Sequence, residues 1–262
     1  MKILLTADLK KLFKGKALYF LVGASVILPL FTTLFIALLM FITTQVGEAN
    51  AFAQIFSPTV LYVTSFSLLN NIGLALLITL ILVSAGDFTQ ATIRNKVVAG
   101  HKREHIFYSS LITNLLFAFL VMFTYSSLSY LFSSFIVGFT LDAFLVVLKF
   151  GFIGFSSYLV LYTIATLIMF RYKNAWAPIL LVIGVMIGIS IVTFIVNIIL
   201  SMNKIEFNIM SYIFPVNYIN STGVGILVDK FEHFWIYTLV NLAYFTLFFY
   251  LGHNLSRKTD FH

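Results

Sequence analysis

The chain has no cysteine, four prolines and few charged residues for its length of 262. The absence of cysteine excludes disulfide frameworks, thiol catalysis and thiolate metal sites. Charged residues make up 10% of the sequence and hydrophobic residues 61%, with thirty phenylalanines and a mean hydropathy of +1.03. Soluble domains carry about 25% charged residues. The composition therefore predicts a protein that crosses a membrane several times.

Six long apolar runs are separated by polar or charged segments. Because lipid offers no hydrogen-bond partners, each run must satisfy its backbone polar groups internally and is expected to be an α-helix. Ten-residue segments of alternating polarity, typical of membrane β-barrels, are not seen. The sequence predicts a single transmembrane domain over residues 1–262, an all-α polytopic fold with six transmembrane helices. The expected spans are residues 17–42, 60–85, 106–135, 144–170, 175–200 and 234–251.

Residues 1–16 form a short basic segment before the first span. An apolar stripe of helical spacing runs along it, with lysines around the stripe, which is typical of a helix lying in the membrane interface. A solvated basic leader is the alternative. The stripe is formed by Leu5, Leu9, Leu12 and Phe13. We assign Lys10, Lys11, Phe13 and Lys14 to the interface helix.

The basic residues are distributed unevenly between the two sides of the membrane. Thirteen of the sixteen lysines and arginines fall on one side if the N-terminus, residues 86–105, residues 171–174 and the tail share it. The cytoplasmic side carries such an excess. The sequence therefore predicts six spans with both termini in the cytoplasm.

Two further regions carry polar or broken patterns. Residues 201–233 are too apolar for a free loop and are interrupted by proline and glycine, so we expect an external segment with short re-entrant or interfacial helices. Asn70, Asn71 and Asn197 fall within predicted spans, where they would line a substrate pathway or bond between helices. Gly184 and Gly188 form a GxxxG spacing, which is typical of close helix packing within or between subunits.

Residues 86–105, here called the connector, carry four of the sixteen basic residues between two spans. Ile93, Val97 and Val98 are expected to form an apolar stripe on a short helix. Arg94, Lys102, Arg103 and Glu104 would then face outward. Such a helix is suited to a groove on a partner protein, or alternatively to lipid headgroups.

The connector resembles the segment between the second and third helices of permease subunits in the type-2 exporter family of ABC transporters. The resembling stretch is ATIRNKVVAGHKREHIFYSS, residues 91–110, which runs past the end of the connector, and Asp87 and Phe88 precede it. The family pattern has an acidic residue, an aromatic residue, G-T-I-R-N-K, a spaced glycine and a basic residue. Matching positions are Asp87, Phe88, Thr92, Ile93, Arg94, Asn95, Lys96, Gly100 and Arg103. Ala91 replaces the usual glycine, and Ser110 stands where lysine is common.

The resemblance implies a permease in the plasma membrane of a bacterium, which dimerises with a second copy or a related permease. A separate ATPase subunit, which holds ATP and magnesium, would drive it through the connector and the interface helix. The cargo implied is amphipathic or hydrophobic: a peptide toxin, a bacteriocin or a drug. The connector residues implied to couple the two subunits are Arg94, Asn95, Lys96, Gly100, Arg103 and Glu104.

Nothing in the sequence predicts an enzyme. The chain has no G-x-x-x-x-G-K-[ST] phosphate-binding loop and no catalytic constellation. His101 and His105 have helical spacing without a ligand set around them, so we assign no metal and no cofactor to this chain. The net charge of +7 is explained by membrane orientation, and no nucleic-acid partner is expected. A secondary transporter and a non-transporting sensor or immunity protein are the alternatives.

Overall fold

The computed structural model describes residues 1–46, 57–66, 72–89, 92–139, 141–202 and 234–258. Every regular element in these ranges is an α-helix, which confirms the predicted all-α class for this part of the chain. The helices are α1 Lys2–Lys14, α2 Lys16–Val46, α3 Pro58–Ser65, α4 Ile72–Thr89, α5 Thr92–Val98, α6 Arg103–Val137, α7 Leu141–Tyr172, α8 Trp176–Met202 and α9 Phe234–Lys258.

Five of the described helices are long and apolar enough to cross a membrane. These are α2, α6, α7, α8 and α9. A sixth crossing is reached only if α4 and α5 count as one span, and the chain bends by 52° between Ile72–Phe88 and Thr92–Val98. The protein is therefore membrane-embedded and helical, with five or six candidate spans.

The predicted second span, residues 60–85, is wrong as a single helix. The first helix, α3, begins after Ser57, whose hydroxyl accepts a hydrogen bond from Val60 N–H, and it ends at Ser65. Hydroxyls near its end bond back to the helix, from Ser65 to Tyr62 O and from Thr64 to Leu61 O. Phe66 then forms a turn, and the next described helix begins at Ile72.

Several predicted features lie partly or wholly outside the described residues. Asn70 and Asn71 fall outside them, as does the external segment from residue 203 to residue 233. Asn197 lies in α8, where only its backbone is described. Their assignment to a substrate pathway stays a prediction.

Helices α6 and α7 form the centre of the bundle. Leu76 of α4, Val121 of α6 and Ile153 of α7 are fully buried in one continuous apolar core. Helix α9 packs along α7, where the Asn241 side chain donates hydrogen bonds to the hydroxyls of Ser156 and Ser157, each at 2.9 Å. Buried polar groups in lipid need such partners, so these bonds fix the contact of α9 with α7.

One end of the bundle collects the segments that carry most of the basic residues. The Phe170 ring, near the end of α7, packs edge-on against Phe88 of α4 and Phe107 of α6, with ring centroids 5.2 Å apart in both pairs. Tyr108 of α6 stacks on His253 near the end of α9. We call this the connector end. Its composition agrees with the grouping of basic segments from which orientation was predicted.

Candidate functional site

Helix α1 presents an acidic residue on its buried face. The buried residues are Leu4, Asp8 and Leu12, which are spaced four apart and therefore share one face. Of the predicted stripe, Leu12 lies on this face, Leu5 and Leu9 are half-buried, and Phe13 is 51% exposed. The face turned inward includes Asp8 because its carboxylate finds partners at the connector end.

A network of two acids, two lysines and one hydroxyl lies where α1, α4, α5 and α6 meet. The Lys96 ammonium lies 2.6 Å from Asp8 Oδ1 and 3.7 Å from Asp87 Oδ2. The Lys11 ammonium lies 2.5 Å from Asp87 Oδ1. The Ser109 hydroxyl donates to Asp8 Oδ2 at 2.6 Å. We call these five residues the ion network.

The ion network is largely removed from solvent. The side chains of Lys96, Asp8 and Asp87 are 11%, 10% and 11% exposed. Charges at this depth are tolerated because each has an opposite charge and hydrogen bonds in reach. Lys11 is more exposed, so its pairing is more strongly screened by solvent. The network links the connector helix α5 to three other helices through one lysine.

The connector helix α5 is attached by its apolar side. Ile93 is buried in a cluster with Leu4 of α1 and Phe107 of α6, and Val97 packs against the same cluster. The prediction that Val98 belongs to this side is wrong, because Val98 is 79% exposed. Arg94 and Asn95 are exposed next to it in sequence. Helix α5 therefore combines a buried side with a free side bearing an arginine, an amide and an apolar residue.

A glycine ends this helix and turns the chain into α6. Gly100 has a φ of 86°, a left-handed conformation that other residues rarely adopt. Its N–H donates to Val97 O, and His101 N–H donates to Lys96 O. Gly100 therefore ends α5 in a turn. Its role in coupling to a partner stays a prediction.

The start of α6 is joined to the end of α9. Glu104, which was expected to face outward, lies 3.4 Å from Arg257 Nε and 3.7 Å from His253 Nδ1. The Tyr108 hydroxyl is 2.6 Å from the same His253 nitrogen. Arg257 is 61% exposed, so the ion pair with Glu104 contributes little to stability. Glu104 is thus engaged within the chain.

The predicted coupling and interface residues divide into two groups. Lys11 and Lys96 belong to the ion network and Glu104 to the pairing with α9. Arg94, Asn95, Lys10, Phe13 and Lys14 are exposed, and Arg103 is half-buried. Of the predicted residues, Arg94 and Asn95 on α5 and Lys10, Phe13 and Lys14 on α1 are therefore exposed to a partner.

Sequence reasoning missed two members of the ion network, Asp8 and Ser109. A usable signal was present for Asp8, because an acid stands midway between Leu4 and Leu12 at helical spacing. Nothing local marks Ser109. It also missed Asn114, whose amide hydrogen-bonds the Ser84 hydroxyl at 2.9 Å and joins α6 to α4.

The ion network joins four helices through ion pairs and one hydroxyl hydrogen bond. Within the described ranges, no group of three or more histidine, cysteine, aspartate or glutamate side chains is placed to hold a metal ion. The partners of the acids in the ion network are two lysines and a serine hydroxyl. Its members hold helices together.

Comparison of the chain with protein-family models, curated proteins and solved structures finds no match in any of the three.

Proposed function

We propose that this protein is the permease subunit of an ATP-driven exporter, energised by a separate ATPase subunit that docks on the connector. The observation that carries the proposal is the attachment of α5 to the bundle. One side of this helix is held by Ile93 and Lys96, while Arg94 and Asn95 are exposed on it. The resemblance of the connector to type-2 exporter permeases supports an ATPase as the partner and ATP hydrolysis as the energy source.

The ion network gives such a docked partner a route to the membrane helices. A displacement of α5 would carry Lys96 with it, and Lys96 contacts Asp8 of α1 and Asp87 of α4. Asp8 in turn accepts a hydrogen bond from Ser109 of α6, one of the two central helices. Coupling between distant sites travels through contiguous networks of this kind. In this proposal, closure of the ATPase dimer moves α5 and α1 together with the spans.

The proposed cargo is amphipathic or hydrophobic, a peptide toxin, a bacteriocin or a drug. Buried polar side chains of the described spans are mostly serine, threonine, asparagine and tyrosine rather than charged residues. Pathways for inorganic ions usually contain intramembrane charge. A hydroxyl- and amide-bearing interior suits a less polar passenger.

A second permease copy is proposed to pack against α8. Gly184 and Gly188 are exposed on this helix, and no described atom lies within 4 Å of where a Cβ at either position would stand. Glycines at this spacing allow close approach of another helix. This supports contact between subunits over contact within the described part of one subunit.

Reversing the exposed charge on α5 is expected to uncouple ATP hydrolysis from export. Arg94→Glu on α5 should lower ATP-dependent export by at least about tenfold, because like charges across an interface cost several kcal/mol. Arg103→Glu, at the half-buried start of α6, is expected to act in the same direction. The measurement is transport of labelled cargo into inverted membrane vesicles, alongside ATP hydrolysis and the amount of permease present. Arg94→Glu should leave the amount unchanged, since Arg94 is exposed.

Lys258→Glu is the matched control, because it makes the same reversal at an exposed position on the end of α9. Export should be retained in this variant. Normal coupled export in Arg94→Glu would contradict a docking role for α5. Purification of the wild-type chain without any ATPase, together with ion-gradient-driven uptake, would instead support a secondary transporter. If neither a co-purifying ATPase nor ion-gradient-driven uptake is found, a sensor or immunity protein is favoured.

A further inference from the structure

A half-open cavity of about 500 Å³ lies between α1, the start of α2, α4 and α6. Its volume falls within the roughly 300–1,000 Å³ range of ligand pockets in proteins. Most of its wall is apolar and includes Leu18, Leu80 and Phe117. Lys11 and Lys14 are the charged residues of the lining. The cavity therefore joins an apolar interior to Lys14 and to Lys11, whose ammonium is also paired with Asp87.

The two lysines retain donors for a ligand. An ammonium group has three N–H donors. Lys11 directs donors to Asp87 Oδ1 and to Val83 O, at 2.5 and 3.3 Å, which leaves one. Lys14 is exposed and has no ion pair or side-chain hydrogen bond within the described part of the chain. An anion between these side chains would meet at least one donor from each.

The position of the cavity fits a lipid. Leu18 is the first residue of the candidate span Leu18–Ile42, so the cavity lies where the first span enters the membrane. A free phosphate would leave the apolar walls unfilled, whereas a phospholipid fills them with part of an acyl chain. Burial of the acyl chain contributes about 0.8 kcal/mol of binding free energy per methylene.

We propose that this cavity binds one anionic phospholipid. Its phosphate lies between Lys11 and Lys14, and part of one acyl chain lies against Leu18, Leu80 and Phe117. Because Lys11 also belongs to the ion network, the bound lipid contacts the same helix that the network attaches to α4 and α5. The site stands independently of any transport activity.

The test is native mass spectrometry of the purified full-length protein, titrated with dioleoyl phosphatidylglycerol or dioleoyl phosphatidylcholine. Phosphatidylglycerol is expected to bind the wild-type chain more tightly. Lys14→Gln should weaken phosphatidylglycerol binding about fivefold, the effect of removing one lysine near an anionic surface. Lys10→Gln is the matched control, since Lys10 is exposed on the same helix and does not line the cavity. Equal affinity for the two lipids, or equal loss in the two variants, would overturn the proposal.

Filling the cavity gives a second, charge-neutral test. Gly86 lines the cavity, and a Cβ built there meets no atom within 4 Å, so Gly86→Leu can extend into open space. Binding of phosphatidylglycerol should weaken about tenfold, as expected when two chain methylenes are excluded. Gly23→Leu is the control, because Gly23 is equally open and does not line the cavity. Unchanged phosphatidylglycerol binding in Gly86→Leu would show that the acyl chain of the lipid does not occupy this cavity.

Discussion

Replacing Lys96 with methionine is expected to lower the free energy of unfolding by about 3–5 kcal/mol, the usual cost of removing one partner from a buried ion pair. Methionine has a similar length but no charge. Asp8 would keep only the Ser109 hydroxyl, and Asp87 would keep Lys11. Since Asp8 is 10% exposed, water cannot fully replace the lost ammonium. The measurement is thermal or denaturant unfolding of the protein in detergent.

A double-mutant cycle separates the Lys96–Asp8 pair from other effects. Asp8→Asn alone should also destabilise, because it leaves the Lys96 ammonium with only Asp87, at 3.7 Å. The combined variant should cost less than the sum of the two, by about 0.5–3 kcal/mol. Arg94→Gln, an exposed change on the same helix, should stay within about 0.5 kcal/mol of wild type. Additive losses in the cycle would mean that Asp8 and Lys96 do not interact in the folded protein.

The sequence predicted the helices well because their signal is local. Long apolar runs set where α2, α6, α7, α8 and α9 lie, and the glycine at position 100 set the turn after α5. Residue 100 has a left-handed backbone conformation, which glycine adopts readily because it has no Cβ. These features depend on neighbours in the chain and can be read without knowing the fold.

The ion network could not be predicted in this way because its pairs join distant parts of the chain. Asp8 and Lys96 are 88 positions apart, and Asp8 and Ser109 are 101 apart. The connector was correctly recognised as unusual from its charge density. Whether a given charge points outward or inward depends on what packs against α5. Lys96 therefore turned out to be internal, whereas Arg94, two positions earlier, is exposed.

The broken second span has a related explanation. Hydropathy averages over a window, so an apolar stretch interrupted by a turn scores as one helix. The turn at Phe66 follows two hydroxyl residues that bond back to their own helix. Neither of them is unusual in a membrane helix, and elsewhere in the chain such bonds leave a helix intact. Ser133 in α6 is an example.

Replacing Gly154 with alanine is expected to destabilise the protein by about 1–3 kcal/mol, the typical cost of overpacking a close contact. A Cβ at this position would stand 2.5 Å from Phe66 Cγ and 2.8 Å from Phe66 Cε1, where real Cβ atoms are not found. Phe66 cannot easily move away. Its ring packs edge-on against Phe155 and Tyr62, with centroids 5.1 and 5.3 Å apart.

In a helix, alanine is more favourable than glycine by about 1 kcal/mol, so the higher helix propensity offsets part of the destabilisation. Gly184→Ala isolates that gain, because no described atom lies within 4 Å of the new methyl group. The monomeric protein in detergent should therefore be unaffected or stabilised by Gly184→Ala and destabilised by Gly154→Ala. Adding Phe66→Leu to Gly154→Ala should recover part of the loss, since the smaller side chain leaves room for the methyl group. If Gly154→Ala were as stable as Gly184→Ala, Phe66 would not pack against α7, and the contact that holds the end of α3 in the bundle would be wrong.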